Sequence, residues 1–210
     1  MTRHRHGRLL VIAAPSGAGK TSLVKALLAA DPSLQLSISH TTRPQRPTEQ
    51  DGREYHFVTT AEFEALAARG EFLEHARVFD NFYGTSRAFV TAQLAAGHDV
   101  VLEIDWQGAR QVRASLPECV SIFILPPSRR ALEERLARRA TDSAAVIARR
   151  LADAASDMSH FVEFDYVVVN DDFARAVADL QRIVGGTGES LRADRPELRP
   201  LLAQLLHAIP

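Results

Sequence analysis

The chain has 210 residues, 46% hydrophobic and 24% charged, which is enough for one well-cored domain with a small insertion and excludes a disordered or fibrous protein. A formal net charge of −1 argues against a general nucleic-acid or anionic-membrane binder, and no apolar run approaches the roughly 18 residues of a membrane span. A single cysteine, Cys119, excludes an intramolecular disulfide and suits a cytoplasmic chain.

The basic start MTRHRHG is followed by no signal-peptide stretch, because residues 9–14 already read as a first strand. His4 and His6 lie on a polar terminus and are not read as metal ligands. Leu9, Leu10, Val11, Ile12 and Ala13 form a short continuous apolar run, suited to a strand buried on both faces. Next comes Ala14-Pro15-Ser16-Gly17-Ala18-Gly19-Lys20-Thr21, and a helix opens at residues 21–28.

Strand, glycine-rich run and helix together read as a phosphate-binding loop. Gly17 and Gly19 let backbone N–H groups converge on phosphate oxygens where a side chain would block approach, and the helix N-terminus favours anions. Lys20 reaches the β- and γ-phosphates of a nucleotide, and the Thr21 hydroxyl is a direct ligand for Mg²⁺. The usual G-x-x-x-x-G-K-[ST] pattern begins with Gly, and here that place is Ala14. Lys20 and Lys25 are the only lysines in an otherwise arginine-biased chain. One of the two therefore stands where the cradle needs a compact ammonium.

Further strands are expected at 36–39, 99–104, 120–125 and 166–169, with helical patterns between most of them. That alternation indicates an α/β fold with a mainly parallel five-stranded sheet flanked by helices. Residues 39–88 differ in character: Phe57, Phe63, Phe72, Phe79 and Phe82 with Tyr55 and Tyr83 sit among turn signals such as Asp51-Gly52. They read as an inserted lobe with a small aromatic core, its loops poised for substrate. Stretches 128–139 and 143–159 are helical and rich in arginine. Near the end, Leu198, Leu201, Leu202, Leu205 and Leu206 recur at helical spacing, an amphipathic tail that either packs back onto the core or self-associates.

A phosphate loop alone does not name an acceptor. Three segments in order, SHTTRPQRPTEQDGREYHF at 39–57, FLEHARVFDNFYGTS at 72–86 and LEIDWQG at 102–108, resemble guanylate kinases. So do SIFILPPS at 121–128 and YVVVNDD at 166–172, so the likeness runs through most of the chain. Ala14 is a mild departure, because APSGAGK also occurs in bacterial members. The resemblance implies a P-loop NTPase-like core at 1–38, 89–127 and 160–210, a GMP-binding lobe at 39–88 and a helical lid at 128–159. It implies transfer of the γ-phosphoryl group of ATP to GMP or dGMP, with Mg²⁺ accompanying ATP.

On the same resemblance, residues 14–21 and Asn170 bind ATP, Asn170 near the adenine. Arg43, Arg46, Tyr55 and Tyr83 match the acceptor-phosphate ligands, guanidinium forks and phenols being apt for phosphate oxygens. Guanine offers N1–H and N2–H₂ donors beside an O6 acceptor. The matching residues are the carboxylates Glu74 and Asp105 and the hydroxyls Ser39 and Thr85, with Gly84 beside them. Adenine would set a lone pair against Glu74, a mismatch of roughly several kcal/mol. Glu103 stands where the family commonly has Asp near the metal, reaching it through water. Lys20, Arg43, Arg135, Arg139 and Arg150 match the catalytic cations. Family lids often read R-G-R-G, whereas this chain has Arg138-Arg139-Ala140, a stiffer hinge that alters lid closure. Two rivals remain: a non-catalytic recognition module of the same family, and a kinase for another nucleoside monophosphate. The intact phosphate loop opposes the first and the Glu74–Asp105 pair opposes AMP. The sequence leaves monomer or homo-oligomer undecided.

Overall fold

The computed structural model describes residues 6–78, 80–137 and 144–206, with the backbone alone for 144–149. Phe79, Arg138, Arg139 and Ala140, all singled out above, lie outside the described residues, as does His4. Strands β1 (Leu9–Ala13), β2 (Gln35–Leu36), β7 (Val100–Glu103), β8 (Val120–Leu125) and β9 (Tyr166–Val169) form a sheet in the order β2-β7-β1-β8-β9. β2 runs parallel to β7 and β8 parallel to β9. All five residues of β1 are buried, as expected of a strand covered on both faces. The chain divides into two compact units, Met1–Val11 with Pro32–Val120 and Ile12–Asp31 with Ser121–Pro210.

In the first unit a second sheet has the order β4-β3-β6-β5, built from β3 (His40–Thr41), β4 (His56–Phe57), β5 (Phe72–Val78) and β6 (Asn81–Ser86). The second strand of the parallel sheet is shorter than the expected 36–39. The Ser37 N–H still donates to the Val101 carbonyl, but His40 already pairs with Gly84 in the other sheet, so the chain leaves the first ladder between them. Helix α2 (Thr60–Ala68) starts at a capping box, Thr59 and Glu62 each accepting from the other's backbone N–H. Such a cap is worth about 1 kcal/mol. It delivers Phe63 onto Phe72 and Phe82, with ring centroids 4.6 and 5.4 Å away, and this is the aromatic core of the lobe. Helices α3 (Arg87–Ala95) and α4 (Trp106–Ser115) complete the unit, with Asp105 as N-cap of α4. Both pack against β5.

In the second unit α1 (Lys20–Ala30) buries Leu23, Val24 and Leu27 and lies beside α7 (Phe173–Val184), which turns Ala176, Leu180 and Ile183 inward. Each fully buried aliphatic side chain of this kind contributes about 1.5–3 kcal/mol. Helices α5 (Arg129–Ala137) and α6 (Ala144–Ser159) fall close to the two expected arginine-rich helices. The leucine tail forms a 3-10 turn at Pro196–Leu198 and then α8 (Arg199–Leu206). Leu198 and Leu205 are buried and α8 lies against α6, so the tail packs back rather than projecting its apolar stripe. Among the described residues no helix is long and apolar enough to cross a membrane.

Candidate active site

The phosphate loop joins β1 to α1. Gly17 and Gly19 have φ of 87° and 95°, a backbone region that side chains strain to enter, so these two glycines are conformational necessities. Space is equally short. A Cβ on Gly19 would lie 2.4 Å from Nδ2 of Asn170, and one on Gly17 would sit 3.0 Å from Leu132 and Leu136. Gly19 caps α1 with no side-chain hydrogen bond, and the first turn of the helix carries no acidic residue. The dipole of that helix end is therefore left to an external anion. Lys20 and Thr21 are its first two residues, Lys20 half-buried and Thr21 exposed.

Two side chains from distant parts of the same unit hold the loop in shape. Asn170 follows β9, is buried, and donates from Nδ2 to the Ala18 carbonyl at 2.7 Å. Arg135, on α5, donates to the carbonyls of Asn170 at 2.8 Å and Ala18 at 3.3 Å. Its neighbour Glu134 pairs with Arg130 instead, at 2.9 Å, so Arg135 is turned inward while the ordinary helix-surface ion pair forms beside it. A cleft of about 310 Å³ opens between Gly17, Gly19, Ser22, Arg135, Asn170, Asp171 and Phe173. Ser22, Asp171 and Phe173 escaped the sequence reading. Their signal was position: Asp171 and Phe173 come directly after β9, and ligands of α/β sheets gather at the carboxyl ends of strands. Phe173 is 47% exposed, unusual for so large an apolar ring. Arg150 lies on α6, half-buried, and Arg139 is outside the described residues.

In the first unit three of the expected phosphate ligands of the acceptor, Arg43, Arg46 and Tyr55, lie on the loop between β3 and β4, and the fourth, Tyr83, is on β6. Arg43 lies 5.3 Å from the Tyr55 ring centre and 5.8 Å from that of Phe57, and it pairs with Glu49 at 2.7 Å. Glu49 also accepts from the Arg46 backbone N–H at 2.8 Å and has the Arg46 guanidinium at 3.8 Å. A carboxylate thus stands between the two arginines where a phosphate is expected. The Arg43 hydrogen bond, aided by the Arg46 N–H, holds Glu49 below the usual carboxylate range against the opposing effect of burial. Sequence reasoning missed Glu49, although its place three residues after Arg46 in a turn was a readable clue. Tyr55 and Tyr83 meet edge to face at 5.8 Å. Burial, then the nearby Glu103 and Tyr83, push the Tyr55 phenol up to about 12, so it stays a hydrogen-bond donor at any working pH.

The residues expected to face the base come from β5, β6 and the start of α4. Glu74 is 3% exposed and accepts a 2.6 Å hydrogen bond from the Thr85 hydroxyl, itself fully buried. Strand register dictates the meeting, because Glu74 and Thr85 are cross-strand partners in the β5–β6 ladder. Asp105 accepts from the Gly108 N–H at 2.8 Å. Gly84 is buried against Phe72 and Phe63, which a Cβ there would approach to 3.0 and 3.1 Å. Ser39 is half-buried, and its carbonyl accepts from the His56 N–H, which ties it to β4.

The Thr21 hydroxyl, in the first turn of α1, is a hard oxygen donor of the kind a divalent ion takes, and Glu103 is half-buried at the end of β7 in the other unit. Mg²⁺ takes few protein oxygens and completes its shell with phosphates and water, so a single hydroxyl such as that of Thr21 fits it.

The guanylate kinase family model matches residues 6–186. The chain belongs to the guanylate kinase family. Guanylate kinases of Alkalilimnicola ehrlichii and Methylococcus capsulatus are each 59% identical to it over 200 residues, covering 95% of this chain and 97% and 98% of theirs. A crystal structure of guanylate kinase from Anaplasma phagocytophilum superposes with a TM-score of 0.74 at 34% identity, covering 95% of both chains. The likeness includes the phosphate loop as well as the acceptor lobe. Family membership therefore extends over both halves of the machinery described above.

Proposed function

We propose that this chain transfers the γ-phosphoryl group of ATP to GMP, and equally to dGMP, giving ADP and GDP in the cytoplasm. The observation that carries the reading is the buried Glu74 carboxylate, anchored by Thr85 beside Asp105, in a chain whose phosphate loop is intact. A carboxylate is acceptor-only, and Glu74, oriented by its bond from Thr85, suits the N1–H and N2–H₂ donor edge of guanine. Adenine presents a lone pair there instead, which a carboxylate oxygen repels. None of the residues matched to GMP binding is assigned to a 2′-hydroxyl.

The acceptor phosphate is already an anionic nucleophile, so the protein has no proton to remove. What it contributes is alignment and charge neutralisation. Arg43, Arg46, Tyr55 and Tyr83 bind the acceptor phosphate. Its arrival takes Arg43 and Arg46 from Glu49 and leaves Tyr55 donating a proton it does not release. On the donor side, backbone N–H groups of residues 17–21 cradle the ATP phosphates, and Lys20 bridges to the γ-phosphoryl group. Asn170 and Arg135 keep that cradle in shape, and Arg135, Arg139 and Arg150 offset the charge on the transferring group. The Thr21 hydroxyl would hold the Mg²⁺ that accompanies ATP, with Glu103 reaching it through water, and the ion would supply screening of phosphate charge.

The test is ADP release with Mg·ATP and, in parallel, GMP, dGMP, AMP, CMP or UMP as acceptor, with Lys20→Ala as control. Turnover confined to guanine monophosphates and lost in the control is expected. GMP binding without turnover would instead indicate a recognition module, and turnover with AMP would sink the roles given to Glu74 and Asp105.

A further inference from the structure

Helix α4 places Asp105, Gly108 and Gln111 three residues apart, on one face. Each meets the base-reading group differently. Asp105 caps the helix by accepting from the Gly108 N–H. Gln111 acts as a substitute peptide group: its Nε2 donates to the His75 carbonyl at 2.8 Å and its Oε1 accepts from the His75 N–H at 3.1 Å. That fixes β5 at the residue next to Glu74. Gly108 lies between these two contacts, and a Cβ on it would stand 2.3 Å from Oε2 of Glu74 and 3.3 Å from Oδ1 of Asp105.

The missing side chain of Gly108 thus falls in the space shared by the two carboxylates that read the base. We infer that Gly108 is a specificity-determining position and that this face of α4 is a brace setting where the Glu74 carboxylate lies; the inference rests on the reading of Glu74 and Asp105 as the guanine ligands. The glycine is not there for its backbone. It sits inside a regular helix, where alanine is the better helix former. A methyl group at 108 must move the Glu74 carboxylate. That carboxylate, buried and tied to Thr85, cannot yield without breaking its bond or turning away from the base.

The experiment compares wild type, Gly108→Ala, Glu74→Asp and the double variant of the full chain. It measures KM and kcat for GMP, AMP and ATP, and thermal melting. Gly108→Ala is expected to raise KM for GMP roughly tenfold or more and to lower the guanine-over-adenine ratio, with KM for ATP within about twofold of wild type. The shorter carboxylate of Glu74→Asp is expected to cost less in the alanine background than alone, because it withdraws from the added methyl. An unchanged KM for GMP, a parallel rise in KM for ATP, or additive penalties would each overturn the brace. Should Gly108→Ala fail to fold, Gln111→Leu decides by the same readout: KM for GMP rises if the brace is real and stays put if it is not. A wild type with no guanine preference would overturn the functional reading itself, which separates the two failures.

Discussion

In the phosphate loop the groups available to an anion are backbone N–H donors, set by two glycines of positive φ, Gly17 and Gly19. In the proposed base reader the groups available to a ligand are side chains, Glu74, Thr85 and Asp105, brought from three elements and fixed by the Thr85–Glu74 hydrogen bond and by Asp105 capping α4. The first site is local in sequence and is kept in shape from a distance by Asn170 and Arg135. The second is distant in sequence and is kept in shape by strand register. One lesson follows for mutation: the loop fails when a backbone path is closed, whereas the reader fails when a carboxylate is moved or neutralised.

The sharpest way to break the first site alone is Gly19→Ala. It strains φ of 95° and drives a methyl into Asn170, so kcat/KM for ATP is expected to fall about a hundredfold or more. GMP binding, followed by calorimetry in the absence of ATP, should stay at the wild-type level; a matching loss of GMP affinity would show that the two sites are not separable.

Glu74→Gln tests the second site. The amide keeps the shape but removes the charge and turns two acceptor positions into donors, so guanine-over-adenine discrimination should drop roughly tenfold to a hundredfold while KM for ATP holds. Smaller again is Glu49→Gln, expected to change KM for GMP about threefold by freeing Arg43 from its carboxylate partner. The same variant has a pH signature. Because the folded carboxyl of Glu49 titrates below its unfolded value, its stabilisation is present above the ordinary carboxylate range and is lost as pH falls through the folded value. The melting difference between wild type and Glu49→Gln should therefore close in acid and persist at neutral pH.

The smallest effect concerns His40, whose ring lies 4.8 Å from that of His56. Burial, then the His56 charge, lowers its pKa against the pull of Asp51 and Glu71. The folded protein keeps it neutral, so this contribution to stability is full above the ordinary imidazole range and is lost as pH drops through the lowered value. Replacing it in His40→Phe should flatten the acid side of the melting profile by about a few degrees and leave kinetics at neutral pH unaltered. A profile identical to wild type would remove His40 from the account of acid sensitivity.

Contiguity decided what the sequence disclosed. Strand 9–13 and strand 120–125 were legible to the residue because each is a short apolar run, broken in the second only by Ser121, of the length and β-branched content that buried strands have. The phosphate loop was legible because its whole donor set sits in eight consecutive residues. Strand 36–39 was read too long, since the pull of a second sheet on His40 is invisible to a local pattern. Glu74, Thr85 and Asp105 were found through likeness to a family, and periodicity alone would have left Glu74 as surface charge. Least legible of all were Glu49, Arg135's contacts with loop carbonyls and the closeness of Gly108 to Glu74. Each depends on where a side chain goes in three dimensions, and only Glu49, three residues after Arg46, left a mark on spacing.

Strand β5 ends the four-stranded sheet, in the order β4-β3-β6-β5, and a strand in that place ordinarily offers a row of unpaired backbone groups to any passing chain. Gln111 occupies that row at His75 with both ends of its amide, in the pattern a neighbouring strand would use. The side chain that steadies β5 therefore also closes the sheet to extension. A chain lacking that amide should be the one that associates edge to edge during refolding at high concentration.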